Sequence, residues 1–396
     1  MDSDDAQWVE TEQDVVELTP RRRRVPGWLL VVAVLVVLGG LARLEQGKSS
    51  STATPVSPSS ASPSVVPFDP TSPPVQPSPS PVRPRVENLG HRLLGVTAGW
   101  ELFARRSDEV VRIQLALGRV THTPVPALNG SEAVAFVAAS DRVLVRPWNN
   151  VPGYVVRDGA AARELGADAG HRGPMYPGPD ADHLWVLNED GGALSLIGLD
   201  GARAGRSIPL PASDQWWPAA ADGAGYVVVR GIGGDYVARP EGLQRISTGS
   251  VIAGGTTGWL AVECDAHARC AKVVIDRSTG VRQRLGGAPS AAVQPAGLIA
   301  PDGSFAAVYT FTSSQGSGGM TMHLIDLASG THRRLPVIVT PDSALDATMA
   351  WSPDSRWLFA ISEGRLVVID PRSGAVGDLG VALGPVEQLA VRTAWS

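Results

Sequence analysis

Two cysteines, three aspartates and a few aromatics outside the apolar runs are the residues whose types and spacing could do chemistry in this chain. Cys264 and Cys270 flank Asp265-Ala266-His267-Ala268-Arg269. Thiols facing each other across a hairpin can meet the distance that a disulfide requires, and outside the membrane such a bond persists. A metal site needs more ligands than two thiols and His267, and a redox pair is normally spaced Cys-x-x-Cys. A structural disulfide is therefore expected. Asp190, Asp235 and Asp265 lie in separate polar stretches that could converge with Glu189. Acid–base or glycosidase chemistry needs carboxylates paired at catalytic spacing, and each of these residues also suits a solvated turn. Trp148-Asn149-Asn150 and Trp216-Trp217 stand in loops or at a strand entry. Exposed rings there favour contact with a partner or a glycan; the alternative is rings tucked onto a sheet.

Other chemistries leave no mark. The sequence has no Gly-x-Ser-x-Gly elbow and no His-Glu-x-x-His zinc motif. Gln315-Gly316-Ser317-Gly318-Gly319 has no following lysine and reads as a hairpin tip, not a phosphate loop. The candidate ligand-contact set is thus Trp148, Asn149, Asn150, Asp190, Trp216, Trp217, Asp235, Asp265 and His267. No catalytic residue, metal or cofactor is assigned.

The elements that must position these residues come from a repeat. Between about residue 95 and the C-terminus a unit returns seven times: a polar turn, an apolar strand opening on a large residue, then a second apolar strand. The opening residues are Trp100, Val143, Leu184, Tyr226, Trp259, Phe305 and Trp357. Their spacing averages about 43 residues, inside the ~40–45 of a four-stranded blade. An aspartate often precedes them, as at Asp141, Asp182, Asp222, Asp302 and Asp354, where its side chain can bond amides two residues on. Runs such as Val110-Val111-Arg112-Ile113, Tyr154-Val155-Val156 and Val273-Val274-Ile275 are short, β-branched and bounded by Gly, Asp or Pro, which marks strands. A strand-only unit cannot bury its apolar face alone, so the units must pack on one another. The expected fold is all-β, a seven-bladed β-propeller. Glu387-Gln388-Leu389-Ala390-Val391-Arg392 is expected to join the sheet of the first unit, since closure removes open edges; His91-Arg92-Leu93-Leu94-Gly95-Val96 has a similar look. Trp100, Trp259 and Trp357 hold equivalent strand starts and are expected to pack between blades.

Ala350-Trp351-Ser352-Pro353-Asp354-Ser355-Arg356-Trp357-Leu358-Phe359 resembles the W-S-P-D-G-x-x-L-A-F core of TolB-type propeller repeats, and Ile299-Ala300-Pro301-Asp302-Gly303-Ser304-Phe305 is a second match. The resemblance implies a propeller and often an envelope location. It carries over no catalytic residue, because the motif is a structural turn. The repeated Asp-x-x-Ser/Thr-Gly turns are also similar to those of quinone-binding propeller dehydrogenases, but the closing tryptophan of that repeat is missing after Gly280, Gly330 and Gly374.

The chain before the repeats is of another kind. Residues 1–24 are acidic and then basic, with too little apolar surface to fold. Residues 25–44 hold an apolar run of roughly 18 residues, near the lower limit for a transmembrane helix. Arg21-Arg22-Arg23-Arg24 places its N-terminal side in the cytoplasm. A cleaved signal peptide is the alternative; the long polar stretch before the run and the poor site at Gly40-Leu41-Ala42 speak against it. Residues 45–86 are rich in Ser and Pro, an extended spacer to a propeller domain at 87–396. The expected location is the cell membrane, single-pass, with the propeller outside. A formal net charge of −5 argues against nucleic acid as a partner. Arginine almost displaces lysine, which suggests a GC-rich genome and, with the stalk, an actinobacterial-type envelope. Two functions are carried forward: a tethered binding, sensing or scaffold propeller for an envelope protein or glycan, and an envelope hydrolase or lyase with a carboxylate site in the channel.

Overall fold

The computed structural model describes residues 83–393, apart from 129–132, 148–152, 165–174, 181, 189, 200–202, 212–215, 287–296, 312–319 and 340–346. The segment read as a membrane anchor, the tail and most of the spacer, together with Trp148, Asn149 and Asn150, lie outside these residues.

All regular structure among the described residues is β-strand, in the compact unit Pro77–Ser396. The opening residues found by periodicity sit at or within one residue of strand starts, as Trp100 before Glu101–Arg105, Tyr226 before Val227–Gly231 and Trp357 before Leu358–Ser362. The strands form six hydrogen-bonded sheets in a propeller-like arrangement, built on antiparallel meanders. One sheet has eight strands, in which two four-stranded meanders meet through a short parallel pairing of Ser250–Gly254 with Gly297–Ile299.

The turns explain why the chain doubles back where it does. In Asp276-Arg277-Ser278-Thr279-Gly280 the carboxylate of Asp276 accepts from the amides and hydroxyls of both Ser278 and Thr279. Asp326 accepts from the amides of Ala328 and Ser329, and Asp370 from those of Arg372 and Ser373. The glycine closing each motif is left-handed, at φ 69°, 74° and 73° for Gly280, Gly330 and Gly374, a conformation that other residues adopt at a cost. These donors favour the ionised carboxylate. The Ser278 and Thr279 bonds push the Asp276 pKa down to about 2, and the corresponding bonds lower Asp326 and Asp370. A carboxyl depressed in the folded state stabilises it above the unfolded pKa, and the contribution is lost as pH falls through the folded value. Stability should therefore decline as pH drops from about 4 toward 2; Asp276→Asn should flatten that part of a denaturant-midpoint profile.

The TolB-like turn works similarly. Ser352 Oγ donates to Asp354 Oδ1 at 2.6 Å and accepts from the Trp357 amide at 2.9 Å. Ser355 stands where the family motif has glycine, at φ 58°, while Gly303 holds the equivalent position of the sixth unit at φ 76°. The strained serine is compensated locally, because its hydroxyl accepts from the Asp302 amide of the neighbouring turn at 2.9 Å.

The apolar core is divided into clusters that each bridge two successive units. Trp100, Val111 and Ile113 pack with Phe359 and Val368, Phe103 and Val110 with Val143 and Val145, and Leu194 and Ile208 with Val227 and Ala238. Trp100 meets the Phe359 ring at 5.8 Å between centroids, and Trp259 packs in the cluster between the fourth and fifth units. Trp357 is half-buried against the first-unit side. Trp185 donates to Gly225 O at 2.9 Å and Trp351 to Leu298 O at 3.2 Å, two further ties between neighbours.

The C-terminal strand Gln388–Arg392 pairs antiparallel with Glu101–Arg105, taking the first position in the first unit's sheet. The stretch around His91 forms no strand; Leu94 and Gly95 are left-handed, at φ 53° and 64°, which breaks extension there. The strand Arg85–Asn88 instead covers the opposite edge, against Arg119–Pro124. Closure is reinforced by buried charge. Arg392 donates to Glu101 and, at 2.7 Å, to Asp158 of the second unit. Arg112 also holds both carboxylates, and its guanidinium lies 3.0 Å from Asp158. Burial opposes ionisation of Glu101, but the Arg112 hydrogen bond and the Arg112 and Arg392 charges outweigh it and hold its carboxyl below the usual range.

Candidate functional site

The fourth unit builds an aromatic ledge. Strands Val227–Gly231 and Gly234–Arg239 are joined by a two-residue tip, Ile232-Gly233. Gly233 takes φ 82° at the second position, which leaves Ile232 at the apex, 63% exposed. Tyr236 returns under the tip and its hydroxyl donates to Ile232 O at 2.9 Å. Trp216 packs on Tyr236 with centroids 4.9 Å apart and planes tilted 56°. Its ring also lies flat against Gly231, where a Cβ would overlap the indole. Trp217 opens the strand Trp217–Ala221 opposite Arg230 and is 48% exposed. One large aromatic is thus seated and a second, with an aliphatic apex, is left in solvent. Gly231→Ala should unseat Trp216 and cost about 1–3 kcal/mol by overpacking, read as a lower unfolding midpoint together with a change in tryptophan fluorescence.

The aspartates behave differently from one another. Asp235 lies wholly beneath the ledge. Both of its oxygens take Arg230 at 2.9 Å, and Oδ2 also accepts the Val251 amide of the next unit at 2.6 Å. It fixes the ledge and the adjoining inner strand, and does not face solvent. Asp190 is exposed and accepts the Gly192 amide at 2.9 Å. Asp265 binds the amides of His267 and Arg269 and the Arg269 side chain. The Arg269 amide, with these other bonds, holds its carboxyl below the usual range. His267 is carried exposed at the top of that loop. Cys264 and Cys270 are bonded to each other, directly opposed at the base of the same loop. The structure therefore gathers Trp216, Trp217 and Asp235 into one assembly, and places Asp265, His267 and the disulfide in the corresponding loop of the next unit. Asp190 stands in the corresponding loop of the third unit.

Sequence reading missed Tyr236 as the partner of Trp216 and Ile232 as the exposed tip. The Gly231-Ile232-Gly233-Gly234 run was the available signal, since a hydrophobic residue flanked by glycines at a turn has nothing of its own to pack against.

The inner strands enclose a cavity of about 410 Å³. It is lined by Phe136, Met175, Leu298, Met349, Trp351 and Val391 with alanines, glycine and other apolar residues; Tyr176 is the one titratable group in its described lining. No carboxylate, histidine or cationic side chain faces it among the described residues. Among those residues no group of three or more His, Cys, Asp or Glu comes together.

No protein-family model and no curated protein matches the chain in sequence. Among solved structures it is similar to a putative 6-phosphogluconolactonase from Bacteroides uniformis, at 12% identity and TM-score 0.43, covering 74% of this chain and 99% of that one. It is similar to apo AztD from Citrobacter koseri at 14% identity and TM-score 0.40, covering 75% and 98%. TolB from Acinetobacter baumannii matches at 14% identity and TM-score 0.39, covering 74% and 82%. At these scores the similarity carries no functional inference.

Proposed function

We propose that this chain is a membrane-tethered, extracytoplasmic propeller of seven blades that binds a protein or cell-envelope ligand on its loop face, as a sensing or scaffold module. The eight-stranded sheet supports that count: among the described residues its halves pair strand to strand only through Ala253–Gly297 and Gly254–Leu298, as two blades would near a central axis. The apolar run at 25–44, Arg21 to Arg24 before it and the Ser/Pro spacer at 45–86 support an anchored, actinobacterial-type envelope protein. The disulfide supports an oxidising compartment.

The observation that carries the binding role is the ledge. Trp217 and Ile232 are large and solvent-facing, and the Ile232 tip is tied down by Tyr236, on which Trp216 packs. A rigid aromatic contact of this kind loses little conformational entropy when it binds, and tryptophan is enriched among residues that dominate binding energy. The hydrolase or lyase reading finds no acid–base pair in the described lining of the central cavity. The double variant Trp217→Ala, Ile232→Ser tests the proposal. Retention of the detergent-solubilised full-length chain on immobilised cell-envelope material should fall at least about tenfold, the scale of losing one hot-spot residue, with an unchanged unfolding midpoint. Equal retention of variant and wild type would refute the ledge as the contact surface.

A further inference from the structure

The chain contains two lysines, Lys48 and Lys272, against an abundance of arginine. Lys272 is the one in the described domain, and it is 1% exposed. It sits on the strand Cys270–Asp276 of the fifth unit, beside Leu285 and facing the sixth. A buried ammonium ordinarily has a carboxylate beside it. Among the described residues no carboxylate pairs with Lys272, and the one hydrogen-bonding partner of its ammonium is the imidazole of His332, 60 positions away in sequence. His323 lines the same groove from the strand Met320–Asp326. Ser329, Thr331 and Gly286 complete the rim of a space of about 560 Å³ that opens to solvent. Asp326, in the turn that carries Ser329, is engaged by the amides of Ala328 and Ser329.

We propose that Lys272, His323 and His332 form a receptor for a tetrahedral oxyanion, as free phosphate or sulfate or as the head group of a phosphate or sulfate monoester, in the groove between the fifth and sixth units. Among the described residues an ammonium and two imidazoles line one groove with no carboxylate in its lining, and hydroxyl groups stand at the mouth. That is the donor set a multiply charged oxyanion accepts from, and charge-assisted bonds of this kind are the strong ones.

The surroundings of the groove disfavour protonation of its own histidines. Burial lowers His332, with the Lys272 and His323 charges adding to it. Burial lowers His323, with Arg334 and Lys272 adding. Those two cations and the opposite imidazole are the charged groups acting on the pair. A bound dianion would reverse this and draw protons onto the rings, so binding should strengthen as pH falls.

Calorimetric titration of the full-length chain in detergent with sodium sulfate, at constant ionic strength made up with chloride, tests the site. Sulfate keeps its charge across the range, so the protein alone sets the pH dependence. One equivalent should bind, at least about tenfold more tightly near pH 5.5 than near pH 7.5. Lys272→Met should weaken it at least about tenfold at both. His323→Gln with His332→Gln should retain folding and abolish the pH dependence, which keeps the test sharp if the lysine variant does not fold. Inorganic phosphate and glycerol 1-phosphate, run in parallel, separate the sources: a tighter monoester supports an ester ligand, and equal or tighter inorganic phosphate supports the free ion. Absence of saturable binding of all three anions, or equal affinity in Lys272→Met and wild type, would overturn the proposal.

Discussion

A chain ending at Val386 should fail to accumulate as folded protein. The missing residues include the strand Gln388–Arg392, which fills the first position of the first unit's sheet. Removing it uncovers the backbone edge of Glu101–Arg105, and an open edge invites association with other chains. It also removes Leu389, which is buried between the first and seventh units; losing such a side chain costs about 2–5 kcal/mol. Arg105, fully buried, loses Gln388, to which it donates at 2.6 Å, and its ion pair with Glu387. A buried charge stripped of its partner costs about 3–5 kcal/mol. Together these approach the whole of the ~5–15 kcal/mol that holds an ordinary domain folded. Far-ultraviolet circular dichroism and size-exclusion chromatography of the truncated protein should show unfolded or aggregated material. A monomeric, cooperatively unfolding truncation would mean that the ring does not depend on its last strand.

The second expectation concerns Glu101, which is 7% exposed. It accepts from Arg112, Gln114 and Arg392 at once. Glu101→Ala leaves two guanidinium groups sharing Asp158 alone, and should destabilise by about 3–5 kcal/mol. Replacing the acid and both arginines together by apolar residues should cost much less, because a buried ionic group is expensive chiefly when it is left half-paired. Denaturant midpoints of the single and triple variants distinguish this from a simple loss of packing, in which the triple change would be the worse.

The architecture was legible because it is written locally and repeatedly. A large residue at each strand start, an aspartate in the turn before it and a glycine after Asp-x-x-Ser/Thr each act within a few residues, so the period appears without knowledge of the fold. Asp222, Asp302 and Asp354 do bond amides two positions on, as the pattern suggested. The disulfide was legible for the same reason, since Cys264 and Cys270 face each other across one hairpin. The chemistry of the carboxylates was not. Asp235 looked like a loop residue, yet its partner Val251 belongs to the next unit, and nothing in the sequence around Asp235 announces an amide 16 positions away. Asp222 likewise combines its own turn with a bond to Arg277 at 2.6 Å, whose guanidinium lies 4.1 Å from the Trp259 ring centroid. Lys272 and His332 are the extreme case, because only the packing of two units brings them together. In a propeller the strands follow from short-range sequence, whereas the sites between blades follow from register across blades.

We propose that the aromatic ledge of the fourth unit is where this protein meets its ligand. A photo-crosslinking amino acid placed at Trp217 in the full-length chain, in its native cells, addresses it most directly, with the same probe at Leu117 as a more accessible control, since Leu117 is 66% exposed in a turn of the first unit. The account predicts one dominant adduct at position 217, absent at 117 and lost when Ile232 is changed to Ser. Adducts of equal yield and identity at both positions, or a dominant adduct at 117 alone, would contradict it.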